Sequence, residues 1–135
     1  MPFLPLVASA VLVLFTFFVL PLNSFAGEPE VPSAPVSLEI VNGAEGRLRC
    51  QLVLAHFVTQ DIAPVPPGGE TVIVFDRDAD EGVLIFRHVG GRSMALENVL
   101  CGLAGDWRAT RADLDLADLR TGESAALRMV YGAAE

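Results

Sequence analysis

Lysine is missing from this chain of 135 residues, and nine arginines stand against 17 acids for a formal net charge of −8. Without a basic cluster, nucleic acid and anionic lipid headgroups are poor partners, because both are held through concentrated positive charge. Arginine used to the exclusion of lysine fits a GC-rich bacterial genome. Cysteine is nearly absent: Cys50 and Cys101 are the pair, and no C-x-x-C motif occurs, so a thioredoxin-type redox role has no support. No phosphate-cradling glycine loop is present, and Ser93 lacks the G-x-S-x-G setting of an activated serine. Aromatics are few. There is one Trp and one Tyr, and five of the eight Phe fall in the first 26 residues. These absences leave no assembled catalytic set and imply no cofactor and no enzyme.

What is there begins with an uncharged run over residues 3–22, with VLVLFTFFVL at its centre. Ser24 and Ala26 put small residues at the two positions a signal peptidase inspects, ahead of Gly27-Glu28. Residues 1–26 read as a signal peptide, although no Lys or Arg precedes the apolar run. The alternative is an uncleaved membrane anchor, since about 20 apolar residues span a bilayer. Both readings export the remainder, to the periplasm or beyond the cell. Two cysteines in an oxidising compartment predict a Cys50–Cys101 disulfide, with free thiols as the alternative.

Residues 27–35, GEPEVPSAP, are a Pro-rich linker, and residues 36–135 form the folded domain. Val36, Leu38 and Ile40 alternate along a strand. Residues 47–59, RLRCQLVLAHFVT, read as one central strand with Leu48, Cys50, Leu52, Leu54, His56 and Val58 on the core face. The Asn42-Gly43 turn between the two predicts a hairpin. The run QDIAPVPPGGE over residues 60–70 excludes regular structure. Residues 71–75, TVIVF, are apolar on both faces and predict a buried strand. A charged turn, DRDADEG, and a returning strand over residues 83–89 follow. Leu96, Val99, Leu100 and Leu103 have the spacing of one helix face, with Ser93 as N-cap and Gly105 beyond the end. An irregular strand with a loop is the alternative. Residues 107–116 alternate loosely as a strand, or Thr110 and Asp113 form a capping box.

Leu116, Leu119 and Gly122 lead into a final strand holding Leu127, Met129 and Tyr131, and Ile62, Val65 and Gly68 lead into residues 71–75 in the same way. These two approaches resemble the strand-entry pattern of fibronectin-III and pilus-chaperone-like sandwiches. The lone Trp follows the second cysteine, which departs from the immunoglobulin pattern. The expectation is an all-β fold, a small immunoglobulin-like or fibronectin-III-like β-sandwich with room for one short helix.

Three groups carry candidate chemistry. Asp76, Asp78 and Asp80 alternate as calcium ligands do, but Glu81 and Arg87 stand where an EF-hand needs Gly and Glu, which favours a solvated hairpin tip. His56, His88 and Met94, with Met129, are donor types that suit copper, though no two lie at ligand spacing. Trp107 follows a turn and is a candidate contact for a protein partner, against the alternative of a Trp closing one end of the core. The leading expectation is a small exported binding or accessory domain that meets a protein partner. The alternative is a periplasmic copper-binding or copper-delivery protein using His56, His88 and Met94. Membrane contact is expected only if residues 1–26 stay attached.

Overall fold

A computed structural model of the chain describes residues 33–88 and 91–132. The expected signal peptide or anchor lies outside them, as does most of the linker. The elements are β1 (Ser33–Asn42), β2 (Leu48–Leu54), β3 (Val58–Asp61), β4 (Glu70–Asp78), β5 (Leu84–Arg87), β6 (Ser93–Leu103), α1 (Trp107–Thr110), β7 (Ala112–Asp113), α2 (Ala117–Thr121) and β8 (Ala126–Tyr131). The fold is all-β. The strands pair along one path, β3-β2-β6-β5-β4-β1-β8, and β7 joins β6 off that path. Every contact is antiparallel except β1 with β8.

The alternating pattern of β1 does what its period dictates. Val36, Leu38, Ile40 and Asn42 point inward and are buried. Leu48, Cys50, Leu52 and Leu54 do the same from β2, and both sets meet in one core with Ile73, Phe75, Leu84, Val99 and Cys101. Burying one such side chain is worth about 2 kcal/mol, so this shared core is the main favourable term.

Several expectations fail for identifiable reasons. Strands β1 and β2 do not form a hairpin. Asn42 is fully buried, and its side-chain amide donates to the carbonyls of Gly46 (2.8 Å) and Val65 (2.9 Å) while its oxygen accepts from the Ala44 amide (3.0 Å). This turns the chain over the top of the core, where β1 pairs with β4 and β8, and β2 with β3 and β6. The predicted 13-residue central strand is two strands. It stops at Leu54, reverses through a 3-10 turn at Ala55–Phe57 and returns as β3, so His56 and Val58 leave the core face. Strand β1 starts at Ser33, inside the expected linker, because Ser33, Ala34 and Pro35 pair with Asp78, Arg77 and Asp76. Strand β4 is buried on one face only, with Val72 and Val74 in solvent.

The helix-like spacing after Ser93 belongs to a strand. Val53 pairs with Asn98 but Leu54 pairs with Leu96, which leaves Glu97 as an extra residue in a bulge. Residues three apart lie on opposite faces of a regular strand. The bulge resets that parity, so Leu96 and Val99 both turn inward. From α2, the Arg120 guanidinium donates to the freed carbonyls of Leu96 (3.3 Å) and Glu97 (2.8 Å). The predicted strand over residues 107–116 is α1 and the two-residue β7. The Leu116, Leu119 and Gly122 pattern is a short helix with both leucines buried and Gly122 as a left-handed cap (φ 81°).

The disulfide is present. Cys50 and Cys101 face each other directly across β2 and β6, 4.2 Å apart at Cα. The Cys50 carbonyl accepts from Ile62 on the β3 side (3.0 Å), so this is a non-hydrogen-bonded pair, the close kind in which a cross-strand bridge fits.

Candidate functional site

The acidic turn is occupied with its own closure. Asp78 is nearly buried, and one carboxylate oxygen accepts the amides of Asp80 (2.8 Å) and Glu81 (2.9 Å). Asp76 pairs with Arg87. Among the described residues no group of three or more His, Cys, Asp or Glu side chains is placed to share a metal ion.

The copper candidates take separate roles. His56 stands exposed in the β2–β3 turn, and His88 follows β5 half-buried, its amide donating to the Arg92 carbonyl. Met94 and Met129 pack against the core from β6 and β8. The four lie on three parts of the chain: His56 on the β2–β3 turn, His88 and Met94 on the β5–β6 pair, and Met129 on β8.

Trp107 opens α1 and is half-buried. Its ring lies so close over Gly102 that a Cβ there would come within 3.1 Å of it. The Arg49 guanidinium stacks on the ring, 4.8 Å from its centre, and also pairs with Asp61 (3.0 Å). Cation and ring attract through the ring quadrupole. Trp107 thus already has partners within its own chain.

The least expected feature is the turn that splits the predicted central strand. His56 (φ 62°, ψ 30°) and Phe57 (φ 62°) are both left-handed, and no other non-glycine residue among those described has positive φ. Such turns use Asn and Gly, because a Cβ in this region clashes with the following carbonyl at roughly 1–2 kcal/mol per residue. Histidine tolerates the region better than most residues, whereas a bulky aromatic there is an outlier. The turn holds the Phe57 ring almost wholly in solvent, 95% exposed, with Val58 beside it at 39%. Sequence reading put Phe57 on a strand face, because no Gly, Asn or Pro marks the reversal. A second apolar region lies on the outer face of β4, β1 and β8. There Val72, Val74 and Val130 are exposed around an ion pair between Arg128 and Glu39 (3.0 Å).

No known protein-family model matches the chain. It is similar to uncharacterized protein Mb1389c of Mycobacterium bovis and uncharacterized protein Rv1354c of Mycobacterium tuberculosis, each 33% identical over 110 residues. The similarity covers 75% of this chain but only 17% of those much longer proteins.

Proposed function

We propose that the chain is an exported, non-enzymatic module, built as a small immunoglobulin-like sandwich, that docks on a protein partner with Phe57 as its anchor. The observation carrying this reading is a phenylalanine held in solvent by a strained turn where glycine would sit without strain. Backbone strain concentrates where it serves a function, and a rigid aromatic projecting from a scaffold is a common anchor of interfaces. The disulfide supports an oxidising compartment. The net charge of −8 favours a protein over nucleic acid or an anionic membrane. Similarity to a short part of long mycobacterial proteins agrees with a module that works beside other domains.

The test is capture from the exported fraction of the source cells, using wild-type protein and the Phe57→Ala variant side by side. A partner retained by wild type and lost by the variant, with unchanged thermal melting, supports the reading. Equal capture by both removes Phe57 as the anchor, and no capture by either sinks the partner-binding reading.

A further inference from the structure

Strand β8 ends the pairing path and pairs only with β1 among the described residues. At its two ends the Ser37 amide donates to the Ala125 carbonyl, and the Gly43 amide to the Tyr131 carbonyl. Odd-numbered residues therefore turn their backbone groups to β1. Backbone direction alternates along a strand, so Arg128 and Val130 turn their N–H and C=O groups away from it. The Ser124 hydroxyl bonds the equivalent groups of Ala126. Nothing among the described residues bonds those of Arg128 and Val130.

That free edge borders an open cleft of about 410 Å³. Ile40, Leu127 and Met129 make one apolar wall, Leu114 and Asp115 come from the chain between β7 and α2, and Asp118 comes from the first turn of α2. This opposite segment belongs to β6, because β7 pairs with β6 and the Leu114 amide donates to the Val99 carbonyl. Among the described residues it makes no ladder with β8. The Tyr131 hydroxyl donates to the Thr110 carbonyl (2.6 Å) and ties the two sides at one end. The other edge of the sheet, β3, is only four residues long.

The charge of the cleft is one-sided. Asp115 and Asp118 are exposed on its rim, while the guanidinium of Arg128 is already engaged by Glu39 on the outer face. We infer that the β8 cleft takes an extended segment of a protein partner as an added strand. That segment carries apolar side chains toward Leu127 and Met129 and basic ones toward Asp115 and Asp118. Added strands gain affinity from main-chain hydrogen bonds and specificity from alternate side chains. The inference rests on the partner-binding reading but uses a surface that does not include Phe57.

The test uses the oxidised full chain and two blocked octapeptides, one of alternating Lys and Val, the other of alternating Glu and Val. The Lys-Val peptide is expected to slow hydrogen exchange at the Arg128 and Val130 amides and to bind at least tenfold more tightly than the Glu-Val peptide. Asp118→Asn should shrink that preference. Val130→Pro deletes an N–H that β1 does not use, so it should leave the fold and melting temperature nearly intact while abolishing peptide binding. Met129→Pro removes a bond to β1 and is the contrasting variant. Exchange unchanged by peptide, or wild-type binding by a folded Val130→Pro protein, overturns the inference. So does protection of the same amides in the free protein, whether it disappears on dilution of a dimer or on removal of residues 1–32. Phe57→Ala should not alter peptide binding, so the two readings fail separately.

Discussion

Phe57 and Asn42 show how single side chains set the local path of this chain. At Phe57 the backbone conformation suits glycine, so Phe57→Gly should raise stability by about 1 kcal/mol while removing the proposed anchor. Urea denaturation measures the first effect and partner capture the second, and a drop in stability would mean that the added freedom of glycine in the unfolded chain outweighs the strain relieved. Asn42 works in the opposite sense. Its amide bonds two carbonyls from separate loops, and Asn42→Ala should cost about 1–3 kcal/mol by removing both bonds, although the Val65 carbonyl keeps the Leu48 amide. Gly82 lies at φ 69°, and a Cβ there would come within 2.4 Å of the Arg120 carbonyl oxygen. Gly82→Ala should therefore destabilise by more than about 1 kcal/mol, visible as a lower urea midpoint.

Strands β2 and β6 are the elements on which the rest depends, and the disulfide joins them. The bridge spans 51 residues of sequence and contributes about 4 kcal/mol in the chain-entropy view. Reduction should lower the melting temperature markedly, as followed by circular dichroism with and without reductant. An unchanged midpoint would show that the paired strands hold without it. The core faces of β1 and β2 were legible because strict alternation of apolar residues has one strand solution. The bulge in β6 was not legible. An extra residue in a strand imitates the three-residue spacing of a helix, and only pairing with β2 decides between them. The β2–β3 reversal was hidden for a related reason: with no turn residue at 55–57, the apolar alternation runs on through the bend.

For the molecule as a whole, one core joins β1, β2, β4, β5 and β6, so a charge at its centre should prevent folding. Leu52 is fully buried, and Leu52→Asp is expected to yield no soluble native protein. A stable, soluble variant would show that the core tolerates an unpaired carboxylate. Export is tested by intact mass. Protein from the exported fraction should begin at Gly27 and be lighter by two hydrogens than its reduced form. A full-length mass with free thiols would refute both the cleaved signal and the compartment inferred from the disulfide. Of the candidate site, the pattern marked the cysteines and the acidic turn, whereas the donor set imagined from His56, His88 and Met94 lies on a turn, a strand end and the core. The exposed Phe57 and the β8 edge, unpaired among the described residues, escaped the sequence altogether.

Composition and periodicity by themselves determined the acidic character of the chain, its strand-rich class, the inward faces of β1 and β2 and the partners of the disulfide. These depend on charge, hydropathy and a two-residue repeat, which are local properties. Tertiary structure alone decided which strands pair, that β1 and β2 part company over Asn42, that a bulge turns an apparent helix into β6, and that β8 has one edge unpaired among the described residues. Those outcomes depend on how distant segments satisfy one another's backbone groups around a common core, and no local repeat carries that information.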